Sequence, residues 1–213
     1  MKHYLDKVNL LIGDIILRSF YLNLFVLLTM ISSFNIQAAE YFANVEKFKG
    51  NVEVNNKAIS KKTKVMDGDI VIVKDNSYLK LKASDGTTII VGPKSGLKIS
   101  FNKNRTPVSL EVGSLRWISP KKDKKFLGVR TPNAILGVRG TDFFVERERV
   151  FNETQMVCFD GNVNLASVKN KEDSKIVGPG QWGGIGGRYS QKIGEIIPLK
   201  ASILKSFKER LTE

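Results

Sequence analysis

Short runs of alternating apolar and polar residues, separated by glycine turns, extend from about residue 41 to residue 181. The stretch YLKLKA at residues 78–83 shows the pattern clearly, because its two leucines fall on one face of an extended chain and its two lysines on the other. Such alternation predicts a strand with one face buried and the other in water. The pattern as a whole predicts a domain built from short strands.

Several of these runs begin with a glycine at a constant spacing. Gly50, Gly68 and Gly86 each precede such a run and stand 18 residues apart. This repeat predicts stacked β-turns, although a meandering sandwich would produce similar runs and the spacing is not kept later in the chain. We therefore predict an all-β domain over residues 39–182, a solenoid-like stack or roll of short strands with glycine turns.

The C-terminal part of the chain has a different pattern. Residues 183–187, GGIGG, predict a flexible break, and residues 198–213 then show apolar positions with a period near that of a helix. We predict a C-terminal amphipathic helix that either packs on the β-domain or binds a protein partner or a membrane surface. The apolar face of that helix consists of Leu199, Ile203, Phe207 and Leu211.

The N-terminus has the features of an export signal. Basic residues precede an uncharged run from residue 19 to residue 39. The small residues near the end of this run form an acceptable cleavage site, with cleavage after Ala38 and Ala39 as the nearby alternative. We predict that residues 1–38 are a signal peptide and that the protein acts in the periplasm or cell envelope of a Gram-negative-type bacterium. The run is also long enough to remain as an uncleaved membrane anchor, but its polar residues favour cleavage.

The charge balance indicates what kind of partner to expect. The formal net charge is +13 and the sequence pI is about 9.8, which favours anionic partners. Export argues against genomic nucleic acid, so we expect the partner to be an envelope protein or an anionic envelope polymer. Residues 198–213 or an uncleaved N-terminus could in addition associate with a membrane. The candidate polymer contacts are a basic cluster and one aromatic residue beside glycines: Lys121, Lys122, Lys124, Lys125 and Trp182.

Few of the residue types that usually carry out catalysis occur in this sequence. His3 is the only histidine and is lost with the signal peptide, so triads that need a neutral-pH base are excluded. Cys158, the only cysteine, can form neither an intramolecular disulfide nor a usual zinc site, and its apolar neighbours predict a small buried hydrophobe. Carboxylates leave glycan hydrolysis as a weak alternative, with Asp142, Glu146, Glu148 and Asp160 as its candidates. We expect no cofactor.

The stretch VRTPNAILGVRGTDFFV at residues 129–145 combines turn formers with charged residues between apolar runs. Arg139 and Asp142 flank a tight Gly-Thr segment, where an ion pair would stabilise the turn. The alternative is that Arg130 and Arg139 together bind an anion. These three residues are the candidate structural or anion site.

This stretch also resembles the signature of the FecR-like domain family, in which an R-T-P-x-A segment is followed by G-V-R-G-T-x-F. Supporting pieces in the right order are MDGDI at residues 66–70, DGTTIIVGPKS at 85–95, LEVGSLR at 110–116 and DGNV at 160–163. The resemblance covers roughly residues 41–182 and implies an all-β, solenoid-like fold in a stand-alone exported member. It supplies no catalytic residues.

These observations predict a non-enzymatic binding or scaffolding module of the periplasm or cell envelope, which contacts a protein or an anionic envelope polymer. The alternative is a periplasmic regulatory or sensor component of a FecR-type signalling system. A carboxylate-dependent glycan hydrolase is the weaker alternative.

Overall fold

The computed structural model describes Met1, Gly13 and residues 15–24, 41–100, 107–121, 127–138 and 140–211. The chain divides into two compact units, Met1–Ala39 and Glu40–Glu213. In the first unit residues 15–24 are helical. No helix in the described part of the chain combines the length and the hydropathy that a bilayer span needs. The signal peptide and its cleavage after Ala38 stay predictions.

Strand makes up 51% of the described residues, and all of it lies in the second unit. The strands are β1 (Tyr41–Lys49), β2 (Val52–Val54), β3 (Lys57–Ala58), β4 (Lys64–Met66), β5 (Ile70–Val73), β6 (Tyr78–Ala83), β7 (Thr88–Val91), β8 (Ser95–Ile99), β9 (Val108–Ile118), β10 (Leu127–Arg130), β11 (Ala134–Val138), β12 (Asp142–Glu148), β13 (Glu153–Asp160), β14 (Val163–Ser167), β15 (Ser174–Val177), β16 (Gln181–Ile185) and β17 (Ile197–Pro198). A 3-10 turn at Gly187–Tyr189 and an α-helix at Ala201–Glu209 complete the unit.

The 17 strands form one hydrogen-bonded sheet with two wings. The first wing has the order β4-β1-β6-β7-β9-β12-β13-β16-β17. The second wing has the order β3-β2-β5-β8-β9-β10-β11-β14-β15. The pair β9–β10 is parallel and the other described ladders are antiparallel, so the sheet is mixed.

Strand β9 belongs to both wings, and it changes from one to the other at Gly113. Residues 108–112 pair with β8 of the second wing, whereas residues 113–118 pair with β12 of the first. Gly113 has a φ of +88°, and a Cβ there would collide with Ser95. Ser95 Oγ accepts a hydrogen bond from Ser114 N at 3.0 Å, which fixes the crossing. Only glycine combines this backbone conformation with such a close approach.

Side chains from both wings form one hydrophobic core, because alternate residues of each strand point inward. Leu79 and Leu81 of β6 are fully buried, as the alternation in residues 78–83 predicts. The largest buried side chains are Trp117, Phe143 and Phe144. Phe144 points away from the main core and belongs to a second, smaller cluster on the outer face of the first wing.

The prediction of a β-rich domain with a short C-terminal helix is confirmed, but the solenoid-like stack is not shown. Successive solenoid repeats pair in parallel, whereas β2 and β5, which follow Gly50 and Gly68, pair antiparallel. The strand after Gly86, β7, pairs with β6 and β9 rather than with β5. Gly50, Gly68 and Gly86 each have a positive φ and lie in a turn, two residues before the next strand begins.

The flexible break predicted at residues 183–187 is wrong, because its first three residues are the end of β16 and pair with β13. Gly183 and Gly184 are buried there, and Cβ atoms at these positions would meet Val177 at 2.9 Å and Trp182 at 2.8 Å. The glycines permit close packing within a strand rather than flexibility.

Candidate functional site

The turn at residues 131–133, inside the signature stretch, is the centre of a buried polar network. Thr131 Oγ1 accepts a hydrogen bond from Ala134 N at 2.9 Å and donates to Asn133 Oδ1 at 3.0 Å. The hydroxyl of Thr154 on β13 donates to Asn133 Oδ1 at 2.6 Å. All three polar residues are buried, so each hydrogen bond replaces one that water would otherwise supply.

Asn133 also connects this turn to the first wing. Its Nδ2 donates to the carbonyl oxygen of Asn152 at 2.6 Å and to that of Ile185 at 3.2 Å. Asn152 ends the turn between β12 and β13, and Ile185 ends β16. One side-chain amide therefore joins three separate segments of the domain.

The turn between β12 and β13, residues 149–152, is here called the hairpin apex. The Glu148 carboxylate accepts hydrogen bonds from Val150 N at 2.9 Å and Phe151 N at 2.7 Å. These two backbone hydrogen bonds lower the pKa of Glu148. At the other end of the apex, Arg147 donates to Asn152 Oδ1 at 2.6 Å. The apex is thus held on both sides by side-chain contacts.

This rigid apex presents two apolar side chains to solvent. Val150 is 82% exposed and Phe151 is 69% exposed. The carbonyl oxygen of Phe151 accepts a hydrogen bond from Gly187 N at 3.1 Å, and the neighbouring cations Arg149 and Arg188 are exposed. In the sequence, the signal for this surface is the apolar pair VF between the polar runs RER and NET, which strand alternation and family motifs do not single out.

Asp142 forms a bidentate ion pair with Arg116 of β9. Arg116 Nε donates to Asp142 Oδ1 at 2.9 Å, and its Nη2 donates to Oδ2 at 2.8 Å. The antiparallel pairing of β9 and β12 brings the two side chains together. Arg130 is exposed on β10 in the other wing, and Arg139 lies outside the described residues. The structure therefore does not assemble Arg130 and Asp142 into one anion site.

Comparison with known proteins gives a family for the middle of the chain. The family model described as "FecR protein" matches residues 69–164. Residues 69–164 are a FecR domain. This stretch contains the crossing strand β9, the polar network around Asn133 and the hairpin apex.

Solved structures share the fold of this FecR domain. Two crystal structures of a candidate anti-sigma factor from Parabacteroides distasonis each align with a TM-score of 0.55 and 15% sequence identity. The alignments cover 65% of this chain and 64% and 63% of the matched chains, so the chain spans less than two thirds of their length. No curated protein matches the sequence.

The carboxylates considered for hydrolysis in the FecR domain all have structural partners. Asp142 binds Arg116 and Glu148 holds the hairpin apex. Glu146 Oε2 accepts from Gln155 Nε2 at 3.1 Å. Asp160 forms an ion pair with Lys121 at 2.9 Å, and this contact lowers the pKa of Asp160. A general acid needs a raised pKa, which is the opposite of the direction found for Glu148 and Asp160.

The predicted polymer contacts have different positions in the structure. Lys121 is exposed but is paired with Asp160. Trp182 is half-buried, its Nε1 donates to Gln155 Oε1 at 3.2 Å, and its ring lies 6.1 Å from that of Tyr189. The remaining cluster residues, Lys122, Lys124 and Lys125, lie outside the described residues.

The C-terminal helix packs on the outer face of the first wing through part of its predicted apolar face. The rings of Phe207 and Phe144 are 5.4 Å apart, and Leu211 is 4% exposed in the same cluster. Leu199 precedes the helix and is half-buried, and Ile203 remains 42% exposed. The half-buried Phe207 covers the buried Phe144 of the sheet, which lowers the free-energy cost of exposing both rings to water.

A cavity of about 300 Å³ lies where β1, the turn before β6 and the end of the C-terminal helix meet. Its lining includes the cationic side chains of Lys47, Lys49 and Arg210 together with Ser77 and Tyr78. Burial raises the pKa of Tyr78, so this phenol stays neutral in the cavity wall. The lining contains three cationic residues and no acidic one, and Arg210 also pairs with Glu146 at 3.4 Å.

Cys158 is buried, and burial raises the pKa of its thiol to about 11. The prediction of a small buried hydrophobe is consistent with this position, since a thiol that stays protonated is a poor nucleophile. Within the described residues, no group of three or more His, Cys, Asp or Glu side chains is placed to hold a metal ion.

Proposed function

We propose that this protein is a non-enzymatic regulatory component of a FecR-type signalling system in the cell envelope, and that it acts by binding a protein partner. The FecR domain at residues 69–164 carries the proposal. The match of its fold to a candidate anti-sigma factor supports a regulatory role by analogy. The structural use of the candidate carboxylates supports a binding role over glycan hydrolysis.

In-cell crosslinking of the tagged full chain tests this proposal. A short amine-reactive crosslinker applied to living cells should yield a discrete adduct with one envelope protein, which mass spectrometry identifies. A chain without residues 1–38 should remain in the cytoplasm and give no such adduct. Deletion of the gene should also change transcription of a limited set of promoters. Adducts with glycan or lipopolysaccharide alone, with unchanged transcription, would contradict the proposal.

Binding of an anionic envelope polymer is a second candidate function, which the cavity near the C-terminal helix favours. Lys47 and Lys49 lie on the same face of β1 in the cavity wall. Replacing both by Glu should reduce cosedimentation with purified peptidoglycan or lipopolysaccharide, and added salt should have the same effect. The matched control is Lys61→Glu with Lys62→Glu, two exposed residues of a turn that does not line the cavity. Equal retention by both double variants would exclude the cavity as the polymer site.

A further inference from the structure

We propose that the hairpin apex, residues 149–152, is the surface that contacts the protein partner, and that Val150 and Phe151 insert into an apolar site flanked by carboxylates. This inference rests on the proposed function, because it assumes that the partner is a protein. It adds the residues that make the contact and the chemistry of the surface that receives them.

The first observation is the exposure of the two apex side chains. Val150 and Phe151 are adjacent and more exposed than any other large hydrophobic residue described in the second unit; the next is Ile176, at 59%. A single exposed apolar side chain is common, but two neighbours at the end of a hairpin form a compact protruding surface. Their burial in a partner would remove most of that apolar surface from water.

The second observation is that the apex is preorganised. The Glu148 carboxylate, the Arg147 guanidinium and the Asn133 amide each bond to the apex backbone or to Asn152. Gly187 N also bonds to the Phe151 carbonyl oxygen. A segment that is already ordered loses little conformational entropy on binding, so more of the contact energy appears as affinity. The signature turn therefore supports an interaction surface and is not itself a reactive site.

The third observation is the charge around the apex. Arg149 and Arg188 are exposed, and the guanidinium of Arg188 lies 4.8 Å from the ring centre of Tyr189. The exposed charged residues here, Arg149 and Arg188, are both cationic, whereas the acidic Glu148 and Glu153 are half-buried. Arginine and tyrosine are frequent in the energetic centres of protein interfaces. Carboxylates on the partner would complement this charge.

A protein fits this surface better than an anionic bilayer does. The Glu153 carboxylate stands beside the apex, since its Oε2 is 2.9 Å from the position of a Cβ at Gly187. A protein site can present both signs of charge and so match this carboxylate as well as the two arginines, whereas an anionic lipid surface presents only one sign. Stable binding to a bilayer also needs a broad apolar face or a polybasic segment, and the apex offers two apolar side chains.

Site-specific photocrosslinking tests the proposal. Benzoylphenylalanine is placed at Phe151 of the full chain in its native cells, and at Ile176 as a control of similar exposure on β15. We expect one discrete protein adduct from position 151 and none from 176. Arg149→Glu should lower the yield from 151 about tenfold, because it removes the charge complementarity. The adduct site on the partner should be apolar with acidic neighbours.

Four results would overturn the proposal: equal adducts from 151 and 176, no protein adduct from 151, an adduct only with lipid, or an adduct only with a second copy of this chain. A second measurement uses the double variant Val150→Ser with Phe151→Ser, against Ile176→Ser, in the in-cell assay with the amine-reactive crosslinker. Thermal melting should show both variants folded. We expect the yield of the partner adduct to fall at least about tenfold in the double variant and to stay unchanged in Ile176→Ser.

The two measurements separate failure of this surface from failure of the proposed function. If the double variant keeps the adduct, the partner binds elsewhere, and the proposed function stands without this surface. If the unaltered chain gives no protein adduct with the amine-reactive crosslinker, and the chain with benzoylphenylalanine at position 151 gives none either, the proposed function itself fails.

Discussion

Asn133 donates a hydrogen bond from Nδ2 to the carbonyl oxygen of Asn152 across 2.6 Å, and this contact links a turn of the second wing to the hairpin apex of the first. The two residues are 19 positions apart in the sequence. Gly186 lies against the same carbonyl with a φ of +92°, so the contact region is closely packed from a third direction. The order of the apex depends on this turn as well as on its own residues.

The Asn133 contact predicts a large effect of Asn133→Ala on stability. The substitution removes the hydrogen bonds from the Asn133 side chain to the carbonyl oxygens of Asn152 and Ile185, so the free energy of unfolding should fall by about 1–3 kcal/mol. Urea denaturation measures the change. Asn164→Ala, on an exposed position of β14, is the control and should change the free energy by less than about 0.5 kcal/mol. Similar losses in both variants would contradict the structural role of Asn133.

Gly113 should tolerate substitution less well than Gly68, although both have positive φ. Gly113 has a φ of +88° and Gly68 a φ of +86°. A Cβ atom at Gly113 would collide with Ser95, whereas a Cβ atom at Gly68 would meet nothing within 4 Å. Gly68→Ala should cost about 1–2 kcal/mol for the backbone strain alone. Gly113→Ala should cost about 1–3 kcal/mol more from overpacking. Equal melting temperatures would show that β9 can shift to accept the side chain.

Cys158 should make the domain less stable at high pH. Burial raises the pKa of its thiol from 9.0 to about 11, so the unfolded chain loses this proton before the folded chain does. The stabilising contribution is fully present below pH 9 and declines between pH 9 and 11, by about 1 kcal/mol per pH unit. Cys158→Ser should remove this part of the decline.

Urea denaturation of both proteins at several pH values from 8 to 10.5 compares the two slopes. The two proteins differ only at position 158, so the difference between the slopes reports the thiol. Parallel curves would mean that the Cys158 pKa is not raised by folding.

The C-terminal helix should contribute to the stability of the domain through Phe207. Phe207→Ala removes the ring that packs 5.4 Å from Phe144 and should lower the free energy of unfolding by about 1–3 kcal/mol, less than for a fully buried ring. Ile203→Ala changes an exposed position of the same helix and should have little effect. Calorimetry checks both. If Ile203→Ala is as costly as Phe207→Ala, the helix packs through a different face.

This packing also changes how the helix can be tested as a partner-binding element. Deletion of residues 198–213 would expose Ile90 and Phe144, so a lost partner adduct could follow from destabilisation alone. Ile203→Ala leaves the packed face intact and is the cleaner test. A partner that needs the solvent side of the helix should bind this variant more weakly, with an unchanged melting temperature.

The sequence by itself determined the properties that depend on neighbouring residues. Alternation in residues 78–83 predicted β6 with Leu79 and Leu81 buried, and the apolar surroundings of Cys158 predicted its burial. The family signature was also legible, because its turn formers stand at short, constant spacings. Strand periodicity and turn chemistry act over a few residues, so they can be read without knowing the rest of the fold.

Only the tertiary structure decided which distant residues meet. Arg116 is the last residue of the LEVGSLR piece that resembles the family signature. Its pairing with Asp142 nevertheless depends on the register of β9 against β12. Gly183 and Gly184 predict a flexible break but pack closely within β16, because flexibility and close packing both favour glycine. The role of Asn133 likewise requires both wings to be in place. Strand register and wing packing are set by the whole core, since a one-residue shift would turn every buried side chain outward.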